Sequence, residues 1–337
     1  MRITNPFRKK KQIQTQDFPV REEPKASANS GGTRWILCLD GGGMRGVIPV
    51  RILMELKSCL EEAGLTERPE KYFDLVAGTS TGGLIALALT CTDMSLEQLM
   101  DTYRTCGPVA FPRESRGLGQ ALRTLTSEKY PASGIESLIR KWYADRKLGD
   151  ADVRTMIMAY NVLSGEEAEL CSWENPEFSI FDAARATSAA PTYYSPHQVG
   201  NMLLVDGGVI ANNPSLFAVS RARQIWPDCR EFVVVSIGTA GIVHTMAREG
   251  SSGILNWLDN IVPLYSNAQK RTVDRLLEAT PDVRYVRIES QMAESINMDD
   301  CSPSAIAMME KHGEWLAGQY RERLTSIARR LALGRTE

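Results

Sequence analysis

The chain has 337 residues, with 39 Lys plus Arg against 41 Asp plus Glu and a formal net charge of −2. That balance excludes bulk binding of nucleic-acid polymer, which calls for a strongly basic domain, while 43% hydrophobic content is ordinary for one or two globular domains. Seven scattered cysteines without a CxxC pair, and only three histidines, give neither a disulfide framework nor a zinc site, and a reducing, cytoplasmic compartment fits them best.

In chain order, residues 1–33 read as a basic, disordered arm around Arg8, Lys9, Lys10 and Lys11, with little apolar periodicity to bury. Such a segment is attracted to anionic lipid, yet it lacks the apolar stretch of a secretory signal. From residue 34 short apolar runs alternate with amphipathic stretches, which predicts strands and helices wound into a mainly parallel sheet. Trp35 to Leu39 is a buried strand, Ile48 to Ala63 a helix, Tyr72 to Ala77 a second strand, and a second helix opens at Gly82. The uncharged window Leu75 to Thr92 is nearly long enough to span a bilayer. Its internal glycines favour a strand, a tight turn and a helix instead, so membrane contact is expected to be peripheral.

Periodicity fades and Gly, Pro and Arg accumulate from Thr105 to Gly134, as in a surface excursion or lid. Met156 to Leu163 and Ala168 to Trp173 flank a hairpin turn, Phe178 to Ala189 is a short helix ended by Pro191, and Met202 to Val205 is a strand. Pro214 to Ile225 is a helix, Phe232 to Ile237 a core strand, and residues 241–337 are mostly helical with a strand near Val283 to Ile288. In that last part Trp257, Leu258, Ile261 and Leu264 share a helical face suited to core packing or to a membrane surface.

Three strand-end turns carry chemistry. Gly78, Thr79, Ser80, Thr81 and Gly82 form a GxSxG between a strand and a helix, where two glycines allow the sharp turn that exposes a serine hydroxyl at a helix N-terminus. Asp40 to Gly46 reads DGGGMRG, again between strand and helix. It matches GxGxxG, but a dinucleotide site needs an acid at the next strand end about 20 residues on, where an amphipathic helix lies instead. A glycine turn with free amides at a helix start serves equally as an oxyanion hole. The third turn is Asp206, Gly207 and Gly208. A serine nucleophile needs a base, and His197, His244 and His312 have no motif around them, although His197 is close to Asp206 in sequence. A carboxylate can take the role if its site is poised to accept the proton, which makes Asp206 the leading candidate.

DGGGMRG, GTSTG and DGG in this order resemble the patatin-like phospholipases, and Ala184 to Pro191 is similar to that family's segment before its aspartate turn. The resemblance runs from Trp35 to Ile237. It implies a patatin-like three-layer α/β/α fold with a mainly parallel central sheet, a catalytic core over 34–240, and a helical portion over 241–337 packed on the same domain. It further implies Ser80 as nucleophile, Asp206 as general base, Gly42 and Gly43 as oxyanion donors, and Arg45 beside the lipid phosphate. Gly41, Gly46, Gly78, Gly82, Gly207 and Gly208 are the motif glycines. Arg45 has a second reading, a salt bridge holding its turn. The implied reaction is ester hydrolysis of membrane phospholipid at the inner membrane surface, without metal or organic cofactor. An acyltransferase using the same serine, or a silent nucleotide- or lipid-binding module, remains open. Some bacterial members of the family are turned on by cyclic oligonucleotides in antiviral signalling. That raises such an activator here, with a change in homo-oligomer and with Arg113, Arg116 and Arg123 as candidate contacts.

Overall fold

In the computed structural model, which describes residues 32–112, 128–242, 254–292 and 296–334, the first apolar run forms strand β1 (Thr33–Leu39). A 3-10 turn at Gly43–Gly46 leads into helix α1 (Val47–Glu62), whose Ile52, Leu53, Leu56 and Leu60 are fully buried. β2 (Leu75–Thr79) starts later than the sequence predicts, because Pro69–Tyr72 is a 3-10 turn and Asp74 is diverted to the Trp35 amide at 2.8 Å and to Arg34 at 3.0 Å. α2 (Thr81–Cys91) follows directly.

The predicted surface excursion is shorter than expected. Helix α3 (Leu96–Ala110) covers its beginning and α4 (Ala132–Tyr143) its end. A reciprocal Ser95/Gln98 cap starts α3, and Leu96, Leu99 and Met100 bury one face. Arg113, Arg116 and Arg123 lie outside the described residues, as do the basic run at 8–11 and His244.

β3 (Arg154–Asn161) and β4 (Glu166–Cys171) form the predicted hairpin, with Gly165 at φ +74° in its turn. Then come α5 (Ile180–Thr187), an edge strand β5 (His197–Val199) absent from the sequence prediction, and β6 (Met202–Asp206). One turn of helix α6 (Gly208–Ala211), then α7 (Ser215–Ile225) and β7 (Glu231–Ile237), complete the region before the C-terminal part. That part holds α8 (Ile254–Glu278), β9 (Val283–Ile288) and α9 (Pro303–Leu333), with β8 (Gly241–Ile242) pairing β10 (Gln291–Met292). In α8 the side chains of Trp257, Leu258 and Ile261 lie outside the described residues, and Leu264 is exposed.

The eight-stranded sheet runs β5-β6-β3-β2-β1-β7-β9, with β4 on β3. β3, β2, β1, β7 and β9 are parallel, whereas β4, β5 and β6 pair antiparallel. Alternation along β1 sends Trp35, Leu37 and Leu39 to one face and Ile36 and Cys38 to the other. The first face is covered by α1 to α5 and α9, the second by α7 and α8, giving the three-layer α/β/α arrangement. α9 lies along α1, where Gly313 admits the stem of Arg51 and Arg321 pairs with Glu55 and Glu62. Among the described residues, no helix is long and apolar enough to cross a membrane.

Candidate active site

The register of β3 brings two of the sequence motifs together. Thr79, the last residue of β2, pairs with Met158, and Asp206, the last residue of β6, pairs with Ala159. β4 occupies the other side of β3 along this stretch, so β6 takes over where β2 leaves off. The chain turns away at Ser80 and the aspartate arrives on the neighbouring position. Two sequence-distant strand ends thus face each other across one residue step, about 3.3 Å.

Ser80 adopts φ 54°, ψ −125°, a conformation that a non-glycine residue holds only when its surroundings enforce it. The enforcement is visible in its neighbours. The Ser80 amide donates to Thr187 Oγ1 at 2.8 Å, and that hydroxyl donates onward to the Met158 carbonyl at 2.6 Å, which continues the sheet ladder through a side chain. Thr79 Oγ1 donates to the Ala211 carbonyl at 2.7 Å. Gly82 lies against the Leu39 and Asp40 carbonyls, and Gly78 against Gly82, so a Cβ at either position would strike backbone. Those close approaches are the physical content of the GxSxG spacing. Ser80 is 8% exposed at the N-terminus of α2.

Asp206 is 4% exposed, and burial raises its pKa to about 7. The nearby Ser80 hydroxyl and a hydrogen bond from the Gly208 amide, at 2.7 Å, offset part of that rise. Gly207 packs on β3 at Met158, where a Cβ would collide with backbone, while Gly208 has room to spare by comparison.

The DGGGMRG turn closes the third side. A Cβ on Gly41 would sit 3.2 Å from Ser80 Cβ, so this turn runs beside the serine. Its amides divide into two sets. Asp40 donates to Ile237, Gly41 to Asn212, Met44 to Met298 and Arg45 to Gly42. The amides of Gly42 and Gly43 have no acceptor among the described residues. Gly43 stands at φ +59° with its Cα against the Met298 carbonyl, and Gly46 fits under Tyr103 and Thr81. Arg45 donates through Nε to the Gly42 carbonyl and through Nη1 to the Ala240 carbonyl, both at 3.3 Å. It ties the turn to the end of β7 through carbonyls, and among the described residues not through the salt bridge of its second reading; burial lowers its pKa, with the nearby Glu289 working the other way.

Beneath the turn lies an ion network. Asp40, fully buried, takes Arg287 through both oxygens at 2.9 and 2.5 Å, and Lys270 stands 3.5 Å from both Asp40 and Glu289. These charges come from β9, α8 and the segment after β9, so the C-terminal part underpins the glycine turn. From the same part, Asp299 takes the Tyr130 hydroxyl at 2.7 Å and pairs with Lys129, close to where the Met298 carbonyl meets Met44.

An apolar cavity opens at Ser80 and Gly43 and extends between α2, α3 and α4, past Leu84, Ala88, Leu99, Tyr103, Leu138 and Trp142. His197 is not part of the site: its Nε2 meets Asp182 at 2.8 Å on the edge strand. His312 Nε2 meets Ser290 Oγ at 2.7 Å. Among the described residues no cluster of His, Cys, Asp or Glu is arranged to hold a metal ion. The sequence reading missed Thr187, Asn212, Thr239 and Met298; Thr187 sits in the quoted run Ala184 to Pro191, but nothing in a sequence reveals which backbone group a side chain will meet.

The family model "Patatin-like phospholipase" matches residues 37–219. Patatin-like protein 2 of Oryza sativa subsp. indica is 31% identical over 336 residues, covering 83% of this chain and 83% of its own length. A cGAMP-activated phospholipase of Vibrio cholerae is 29% identical over 322 residues, covering 84% of this chain and 90% of its own. Among solved structures, VipD from Legionella pneumophila superposes with a TM-score of 0.43 at 13% identity, covering 86% of this chain and 67% of that one.

Proposed function

The chain belongs to the patatin-like phospholipase family, a family of carboxylic ester hydrolases, and from that premise we propose that it releases fatty acid from membrane phospholipid with Ser80 as nucleophile and Asp206 as its base. The observation that carries this reading is the buried Asp206 carboxylate facing the Ser80 hydroxyl with a pKa near 7. A base of that strength is matched to proton transfer at neutral pH, which an ordinary solvated carboxylate is not. Asp206 takes the Ser80 proton as Oγ bonds to the acyl carbonyl carbon, and the carbonyl electron pair moves to the oxygen. The Gly42 and Gly43 amides, which have no acceptor among the described residues, receive that oxyanion. Its collapse expels the lysolipid, which takes the proton from Asp206. Water activated by the same carboxylate then frees the acid. The apolar cavity takes the acyl chain, and the part of the Arg45 guanidinium not spent on Gly42 and Ala240 meets the lipid phosphate.

The pH dependence follows from the direction of the Asp206 shift. Activity requires the ionised carboxylate, so kcat/KM is expected to rise about tenfold per pH unit up to about 7 and then level off. Stability runs the other way. The folded-state pKa lies above the unfolded value of 3.8, so the cost of the buried charge is absent at low pH, grows as pH rises and is complete above about 7. A profile of kcat/KM that is flat from pH 5 to 8 would remove Asp206 as the base.

Regulation by a cyclic dinucleotide is part of the proposal, supported by the Vibrio relative and by a cGAMP-activated phospholipase of Escherichia coli at 28% identity over 320 residues. It would place the enzyme in antiviral signalling at the inner membrane surface. Purified protein on mixed phospholipid vesicles is expected to release little free fatty acid alone and much more with cGAMP, and none when Ser80 is Ala. Full release without nucleotide, unchanged across a panel of cyclic di- and trinucleotides, would leave the hydrolase and remove the switch. No release from any phospholipid under any of these conditions would overturn the substrate assignment.

A further inference from the structure

Gly42 and Gly43 can serve an oxyanion only if their peptide planes are turned so that both amides face Ser80. Glycine supplies no side chain to fix that orientation and tolerates nearly any other. The orientation must come from elsewhere, and the carbonyl at the opposite edge of each plane shows where. In a trans peptide the C=O of one residue and the N–H of the next point in opposite directions, and the described chain has no cis peptide. Whatever holds the Gly41 carbonyl therefore aims the Gly42 amide, and whatever holds the Gly42 carbonyl aims the Gly43 amide.

The Gly41 carbonyl accepts two hydrogen bonds, from Thr239 Oγ1 at 2.7 Å and from Asn212 Nδ2 at 3.3 Å. Both side chains are buried, Thr239 completely and Asn212 to 9% exposure. Thr239 stands just beyond the end of β7, the strand beside β1, and a Cβ on Gly42 would run into its side chain, so the two are in contact across the turn. Asn212 follows α6, six residues after Asp206, and its own carbonyl accepts the Gly41 amide at 3.0 Å, so it grips that residue from both edges. The next plane is held from within the turn, the Gly42 carbonyl taking the Arg45 amide at 3.2 Å and Arg45 Nε at 3.3 Å.

We infer that Thr239 and Asn212 are positioning residues for the oxyanion hole: they fix the Gly41–Gly42 peptide so that the Gly42 amide is aimed at the reaction before the acyl group arrives. Building on the proposed Ser80 chemistry, this gives the run after the aspartate turn a second task. Ala211 holds Thr79 beside the nucleophile through its carbonyl, and Asn212 holds the oxyanion turn, so a stretch of two residues sets the distance between attacking oxygen and amide donor. A buried carbonyl benefits from hydrogen bonds wherever it is, so the test must read the amide on its other edge.

An alkyl trifluoromethyl ketone provides that reading. Ser80 Oγ bonds to its carbonyl carbon, the carbonyl electron pair moves to oxygen, and the serine proton passes to Asp206, leaving a hemiketal oxyanion that needs the amides. The matching trifluoromethyl carbinol carries the same tail and forms no such bond. Binding of both is measured by calorimetry with cGAMP present, which requires no turnover. Wild type is expected to prefer the ketone by at least about 10²-fold, as for other transition-state mimics. In Thr239→Val, which keeps the shape and removes the hydroxyl, that preference is expected to fall by about tenfold with carbinol affinity unchanged, and Thr239→Ser is expected to restore it. Asn212→Ala should act in the same direction. An undiminished preference in Thr239→Val, or an equal loss for ketone and carbinol, would overturn the positioning role. A wild type without preference for the ketone, or a Ser80→Ala variant that keeps it, would instead overturn the nucleophile assignment on which this inference rests.

Discussion

Asp206→Asn is expected to abolish fatty-acid release as fully as Ser80→Ala, by a factor on the order of 10⁴ or more in kcat. Asparagine keeps the shape, and its Oδ1 can still accept the Gly208 amide that Asp206 accepts now at 2.7 Å. What it presents to Ser80 is an amide that cannot take a proton. Among the described residues no other base takes its place, because His197 is engaged with Asp182 and His312 with Ser290, each on a different part of the fold. Replacing either by alanine is therefore expected to leave most activity. The thermal midpoint checks that Asp206→Asn acts on chemistry and not on folding. Because burial raises the Asp206 pKa, its ionised form strains the fold at pH 8, and the variant should melt at a higher temperature than wild type there. Substantial turnover in Asp206→Asn, or its loss in His197→Ala with the fold intact, would reassign the base.

Gly43→Ala is expected to cut kcat by a factor on the order of 10² to 10³, with little change in vesicle binding. At φ +59° an alanine is strained, and its methyl would meet the Met298 carbonyl that now accepts the Met44 amide at 2.8 Å. Rotating the peptide that carries the Gly43 amide relieves that collision at the expense of the amide's aim. The strain also lowers the thermal midpoint, so activity must be compared at a temperature where both proteins are folded. Cosedimentation with phospholipid vesicles reports the binding half. Equal kcat in the variant would move the oxyanion site to other amides.

The core of this fold was legible in the sequence because Trp35 to Leu39 of β1 and Phe232 to Val235 of β7 are buried on both faces and read as apolar runs. The three chemical turns were legible for a related reason: a sharp turn at Ser80 or a backbone pressed on Gly82 leaves a local mark, a glycine at a fixed spacing. What lay hidden was relational. That β6 runs antiparallel and continues the edge of β3 after β2 ends depends on pairing between Asp206 and Ala159, which no local pattern announces. α3 was obscured because Gly107 and Pro108 suggested a break, whereas Gly107 is needed where α3 touches Met44 and Cys301. Thr239 and Asn212 look like ordinary polar residues until the Gly41 carbonyl is placed between them. The contribution of residues 241–337 was likewise unreadable, since Arg287 and Lys270 reach Asp40 only through the tertiary arrangement.

The cavity beside Ser80 also shapes how a reaction cycle ends. On the proposed chemistry its apolar walls would hold an acyl chain by the tail, and hydrolysis would leave a fatty acid whose new carboxyl group lies at Ser80, next to the buried Asp206. Two carboxylates in so dry a place cannot both stay ionised without repulsion. With the product bound, the pair would hold its shared proton to higher pH than Asp206 alone does; once that proton is lost, repulsion would drive the product outward to the bilayer, whereas at lower pH the acid would be retained. On that reading the group that starts each turnover would also eject its product, and retention of fatty acid should be felt as end-product inhibition that deepens as pH falls.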